Sequence, residues 1–236
     1  MKRLANYLLG RESKDAEKVV LKPRLLIFDF DGTIADTFDV GFEILNKLAA
    51  EFGFRSIKLE DIEKLRDMRT RQVLKFLEIR PTKMSKIARR GAEELSARIE
   101  GIQPLPGVIT VIQELRARGF QIGILTSNSP ENVGIFLRNH DFNVFDFVRS
   151  SSKLMGKSRE IKSIRKILRV PHSEILLIGD ETRDVEAAHK AGVAIAAVAG
   201  GYNSKRALAA MKPQFLLDRP EELLTLLQKP GEELTK

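Results

Sequence analysis

Asp29 and Asp31 stand one residue apart just past the apolar run Leu25-Leu26-Ile27-Phe28, and Gly32 and Thr33 follow at once. Two carboxylates abutting a buried strand repel each other and lose hydration, a cost that a bound cation or a shared proton relieves. Asp and Thr also cap turns, but a doubled carboxylate at a strand end favours chemistry over capping. Three further stretches carry complementary groups. Leu125-Thr126-Ser127-Asn128 offers hydroxyl and backbone N–H groups ahead of a helix expected to start at Ser129-Pro130, and a helix start after a strand is a ready anion site. Gly156-Lys157-Ser158 offers an ammonium group. It looks like the end of a GxxxxGK[ST] phosphate loop, but Ser151 stands where the first glycine is required, which excludes that kind of nucleotide triphosphatase. The last stretch, Ile178-Gly179-Asp180-Glu181-Thr182-Arg183-Asp184, ends another apolar run. Magnesium takes few carboxylates and keeps several waters, so Asp180 with Asp29 can hold it while Asp184 orients the ligands from behind. The competing reading has Thr182 cap a helix and Asp184 complement its dipole.

These groups need a scaffold that brings strand ends together. Apolar runs at Leu25 to Phe28, Gln121 to Thr126, Glu174 to Gly179 and Val193 to Val198 read as parallel strands, with fainter ones near Phe145 to Val148 and Gln214 to Leu217. Helical patterns fall between them at about Val108 to Arg118, Glu131 to Asn139, Arg159 to Leu168 and Arg183 to Lys190. Such alternation predicts a doubly wound α/β fold, in which ligands bind beyond the carboxyl ends of the strands. From about Phe38 to Ile102 only helical periodicity is visible, as in Phe42, Leu45, Leu48, Ala49 and Phe52, and Pro104-Leu105-Pro106-Gly107 returns the chain to the core.

The 236 residues are 43% apolar and contain no cysteine, which excludes disulfides, thiolate metal sites and a cysteine nucleophile. No membrane-spanning run and no signal-peptide pattern is seen, so a cytoplasmic protein is expected. The net charge of +8 is spread among interleaved acids apart from Met1 to Arg24 and Lys83 to Arg90. It is read as a solvated surface rather than a nucleic-acid interface.

In chain order, Asp29-Phe30-Asp31-Gly32-Thr33-Ile34-Ala35-Asp36-Thr37, Leu125-Thr126-Ser127-Asn128, Lys157 and Gly179-Asp180-Glu181-Thr182-Arg183-Asp184 resemble the four motifs of the haloacid-dehalogenase-like hydrolases. The likeness extends from about Leu25 to Gly201 and is nearest to the phosphoglycolate-phosphatase-like members. It implies a Rossmann-like core of residues 1–37 and 103–236, with a small helical cap of residues 38–102. It also implies a Mg2+-dependent phosphatase acting on a small phosphate monoester, phosphoglycolate being the first guess. Asp29 is then the nucleophile and Asp31 the acid and base, with Lys157 beside them. Thr126, Ser127, Asn128 and Lys157 bind phosphate, and Asp29, Asp31, Asp180 and Asp184 are the metal-site acids.

Asp31 favours a phosphatase or a phosphomutase over a dehalogenase, because displacing halide needs no proton donor. A receiver domain has its acidic pair before the phosphorylated Asp, the reverse of the order here. A non-catalytic nucleic-acid or protein-binding module would have no physical need for Asp29, Asp31, Lys157 and Asp180. Glu181 is read as a solvated loop residue, Asp36 as the cap of the first inserted helix, and Arg66, Arg69 and Arg71 as solvent-facing. A monomer is the default expectation.

Overall fold

The computed structural model describes residues 22–151 and 156–227, so the basic start at Met1 to Arg24 lies outside it except for its last three residues. The first strand, β1 (Leu25–Phe28), is buried along its whole length. Such a uniformly apolar strand fits the middle of a parallel sheet covered on both faces. The chain then leaves the sheet for α1 (Phe38–Phe52), α2 (Ile62–Arg66), α3 (Thr70–Phe76) and α4 (Met84–Ser96). Ile44 and Leu48 of α1 lie one helical turn apart and pack on Ile87 of α4, with Val40, Phe52 and Leu95 against them. This is the apolar stripe of an amphipathic helix pair.

Thr37, not Asp36, occupies the position that starts α1, and it makes no side-chain cap. The backbone N–H of Asp36 donates instead to Gln103 O at 2.8 Å, so the capping role expected of Asp36 is not found. Ala35 bridges Pro104, and Leu105 N donates to Ile34 O at 2.8 Å. These contacts tie together the two strands of chain that enter and leave the helical insertion.

The rest alternates: α5 (Val108–Ala117), β2 (Gln121–Thr126), α6 (Pro130–Asn139), β3 (Phe147–Ser150), α7 (Lys157–Leu168), β4 (Ile175–Gly179), α8 (Thr182–Ala191), β5 (Ala194–Val198), α9 (Lys205–Ala210), β6 (Phe215–Leu217) and α10 (Glu222–Leu226). Strand β3 starts two residues later than its apolar pattern suggested, because Phe145 packs edge-on against Phe142, ring centres 5.1 Å apart.

The described strands form one parallel sheet in the order β3-β2-β1-β4-β5-β6. Successive connections run outward to one side from β1 and to the other side from β4. The chain therefore reverses its direction of travel between β1 and β4, which opens a crevice beyond their carboxyl ends. Side-chain alternation sends Leu26 and Phe28 to one face with Ile122, Ile124 and Ile178, and Leu25 and Ile27 to the other with Ile161, Leu177 and Val185. Helices cover both faces, as the alternating pattern predicted. Among the described residues no helix is long and apolar enough to cross a membrane.

Candidate active site

The pairing of β1 with β4 puts Phe28 level with Ile178, so Asp29 and Asp180 emerge side by side at the crevice. Each is almost wholly buried. Oxygens of Asp29, Asp180 and Asp184 lie within 4.8 Å of one another. Lys157, the first residue of α7, reaches in from the side. Its Nζ lies 2.6 Å from Asp29 Oδ2 and 2.6 Å from Asp184 Oδ1, and donates a hydrogen bond to the latter.

The Lys157–Asp29 contact is an ion pair without hydrogen-bond geometry, so Asp29 Oδ2 is buried with no hydrogen-bond donor among the described residues. Asp29 Oδ1 accepts from Phe30 N at 2.8 Å. Asp180 is held at both oxygens: Thr33 Oγ1 donates to Oδ1 and Tyr202 N to Oδ2, each at 2.7 Å. Asp184 Oδ2 accepts from Glu181 N at 3.1 Å, so Asp184 closes the start of α8 and also faces Lys157. Glu181, rather than Thr182, occupies the capping position of α8.

Two glycines let backbone close around Asp180. Gly32 has φ +75°, a left-handed conformation that glycine adopts freely, and a Cβ there would collide with Asp180 Oδ2. A Cβ on Gly201 would overlap the same oxygen and lie 2.5 Å from Gly32 O. Side chains at either place would push Asp180 out of the acid cluster.

Burial dominates the electrostatics. It pushes the Asp29 carboxyl up to about 7, with Lys157 opposing. Burial also raises Asp180 well above the usual carboxylate range, helped by Glu181 and Asp29. Burial alone would lower Lys157, but Asp184 and Asp29 outweigh it and hold the ammonium above the ordinary lysine range. Three buried acids against one lysine leave negative charge uncompensated, and Asp29 Oδ2 has a free lone pair there. These residues fit a small divalent cation, which favours a few carboxylate oxygens and water.

Asp31 is separate from this cluster. Asn128 Nδ2 donates to both of its oxygens, at 3.1 and 3.3 Å. The Asp31 side chain is therefore not among the grouped acids, in contrast to its expected place in the metal set. Burial raises its pKa while the Asn128 hydrogen bond opposes. Asn128 is itself fixed, its Oδ1 accepting from Ser129 N and Asn132 Nδ2, both at 2.8 Å. Ser129 caps α6, as expected, by accepting from Asn132 N. Thr126 is fully buried and its Oγ1 accepts from Asn128 N at 2.9 Å, whereas Ser127 is exposed.

Other expectations change. Glu181 is not a solvated loop residue: it forms an ion pair with Arg183, and both side chains are mostly buried. Arg69 and Arg71 are exposed as expected, but Arg66 turns inward and donates through Nη2 to Gly201 O at 3.0 Å. The loop after β5 was missed altogether. Tyr202 restrains Asp180, while Asn203 accepts from Thr182 N and donates to Arg66 O and Met68 O. The strand-end rule that singled out four other loops applies equally to Val198, and would have pointed to Gly201-Tyr202-Asn203.

Known proteins resemble the chain in sequence and in fold. Residues 26–198 match the haloacid dehalogenase-like hydrolase family. The chain is 32% identical over 200 residues to a phosphoglycolate phosphatase of Synechococcus elongatus, covering 84% of this chain and 94% of that protein. It is 25% identical over 222 residues to the pyrophosphatase PpaX of Bacillus thuringiensis, covering 88% and 97%. A haloacid dehalogenase-like hydrolase from Streptococcus pneumoniae shares the fold, with a TM-score of 0.72 at 19% identity over 86% of this chain and 98% of that one. The match spans both the first and the fourth acidic strand ends, and the chain belongs to the haloacid dehalogenase-like hydrolases.

Proposed function

We propose that the chain is a magnesium-dependent phosphatase that hydrolyses a small phosphate monoester through a phosphorylated Asp29. It is a hydrolase by family, and similar proteins are named as phosphatases. The observation that carries the reading is the buried acid cluster in which Asp29 Oδ2 alone among the acids' oxygens has no hydrogen-bond donor among the described residues. That oxygen, ion-paired to Lys157 but taking no hydrogen bond, is placed to meet a metal cation or an electrophile.

Asp29, Asp180 and Asp184 would hold the magnesium ion, which would neutralise charge on the phosphoryl oxygens and keep Asp29 ionised. The protein's own groups do the rest. Lys157 fixes the Asp29 carboxylate against Asp184 and brings positive charge to the developing transition state. Asp29 attacks phosphorus, and the bond to the leaving oxygen breaks. Asp31, whose burial favours the protonated form, gives its proton to that oxygen. Now ionised, it takes a proton from water as the water attacks the aspartyl phosphate and regenerates Asp29. Asn128 holds Asp31 at both oxygens, and Thr126 fixes the loop that carries Asn128.

In this reading residues 38–102 form a cap over the core of residues 1–37 and 103–236, and exclude water during turnover. Phosphoglycolate is the first substrate to test, on the strength of the Synechococcus relative. The test is phosphate release from a panel of small esters, with and without magnesium, by the native chain and by Asp29→Asn. Metal-dependent turnover is expected, and loss of the nucleophile lowers it by at least about a thousandfold. Turnover in Asp29→Asn close to native would remove Asp29 from this role.

A further inference from the structure

Helix α7 starts at the acid cluster with Lys157, runs toward the amino ends of the strands, and buries Ile161 and Ile164 on its inner side. Its outer side carries Arg159, Lys162, Arg165 and Lys166, with Arg169 just beyond, all exposed. Among the described residues no acid pairs with any of these cations, not even Glu160 on the same helix. On α4, by contrast, Arg89 and Arg90 meet Glu93, and on α8 Lys190 meets Glu186. The stripe weakens its own helix. Arg159, Arg165 and Lys166 each lie one turn from Lys162, and like charges at that spacing are destabilising. Arg159 also stands in the first turn, where the helix dipole disfavours a cation. Such a stripe gains most from an anionic partner laid along it.

The foot of the same helix adds an apolar recess. Ile167 is 58% exposed and Leu168 37%, and only Leu59 among the other large apolar side chains described stands as open. With Phe147 of β3 and Ile164 they line a groove of about 110 Å³. Strand β3 is the outermost of the described sheet, so the groove opens at an edge that no other described strand covers. Arg149 lines it too, exposed and likewise without an acid among the described residues. The acid in the groove, Asp146, is already engaged by Arg116 at 2.7 and 2.8 Å.

We propose that the outer side of α7 and the groove beside it form a docking surface for an acidic segment of another protein, which seats one aliphatic side chain against Ile167 and Phe147. Charge complementarity commits the surface to an anion, and the recess decides which kind. A groove this small takes a single aliphatic side chain as an anchor, which the flat surface of a bilayer does not offer. A nucleic-acid backbone has no aliphatic group to fill it and would set phosphates against Ile167 and Leu168. None of the exposed cations belongs to the candidate active site, so docking here is a function apart from the chemistry at Asp29.

The experiment titrates the full chain at low ionic strength with a fluorescent peptide of glutamates flanking one leucine, and with the same peptide carrying serine in place of leucine. Saturable binding of the leucine peptide is expected, about tenfold tighter than that of the serine peptide, the scale of burying one aliphatic side chain. Lys162→Glu combined with Lys166→Glu should weaken the leucine peptide by at least about tenfold. Because the reversal removes self-repulsion, it should leave Tm unchanged or raised by circular dichroism. Ile167→Ser should erase the preference for leucine while the serine peptide binds as before. No saturable binding up to about 1 mM, or equal binding of the two peptides by the native chain, refutes the docking surface. So does a leucine preference that survives Ile167→Ser, or binding that survives the charge reversal. Vesicles of phosphatidylserine with phosphatidylcholine and a DNA duplex are titrated in parallel, and tighter binding of either overturns the proposal by assigning the stripe to lipid or nucleic acid.

Discussion

Replacing Lys157 by Met keeps the length of the side chain and removes its charge. The ammonium sits 2.6 Å from each of two acids, and all three side chains are less than a tenth exposed. At an effective dielectric of about 20, each contact amounts to roughly 6 kcal/mol of gross attraction. Most of that offsets the desolvation of the charges themselves. What remains on deleting one partner of a buried pair is a net loss of about 3–5 kcal/mol. For a chain of this size each kcal/mol moves Tm by about 2–4 °C, so a fall of roughly 6–20 °C is expected in metal-free buffer by circular dichroism.

The loss should also depend on pH. Folded Asp29 titrates near 7 against 3.8 for the ordinary group, so the folded state binds the proton more tightly. Stability from this group therefore falls as pH rises from about 4 through 7. At pH 5 Asp29 is already neutral and gains little from Lys157, whereas at pH 8 it is ionised and depends on it. The Lys157→Met penalty is accordingly larger at pH 8 than at pH 5. A penalty below about 1 kcal/mol, or one as large at pH 5 as at pH 8, would refute the reasoning about buried charge.

Asn128→Ala removes the hydrogen bonds that favour ionised Asp31, so the alkaline limb of the kcat profile should move to higher pH. An unmoved limb would deny Asp31 the role of acid. Asn203→Ala removes the partner of Thr182 N and of the Met68 carbonyl, while Arg66 O keeps the N–H of Ser204. It should cost about 1–3 kcal/mol in denaturant unfolding and speed amide exchange at Thr182. Magnesium at 100 times its Kd should stabilise the native chain by about 2.7 kcal/mol. Asp180→Asn should lose most of that gain, and a full gain in the variant would exclude Asp180 from the cation site.

The core was legible because uniformly apolar strands such as Leu25–Phe28 and Ile175–Gly179 leave few other readings. The acids at their ends were legible for the same reason, since charge beside such a run is conspicuous. What could not be read were meetings between distant segments. The turning of Asp31 toward Asn128 spans 97 residues of chain, and that of Arg66 toward Gly201 spans 135. Nothing local in Arg66 separates it from Arg69 and Arg71, which face solvent. Phe145 shows the opposite limit: its local pattern suggested a strand, but the strand begins at Phe147 and the Phe145 ring packs on Phe142.

Asn203 and Tyr202 are consecutive, yet one grips the helical insertion at Arg66 and Met68 while the other steadies Asp180. A lever this short transmits displacement with almost no slack. Swinging the insertion outward would tug the peptide that restrains the acid, so releasing product and slackening the reaction centre become a single mechanical event. On the proposed phosphatase reading, the centre would then be fully assembled only while the molecule is shut, which would protect a phosphorylated Asp29 from stray nucleophiles.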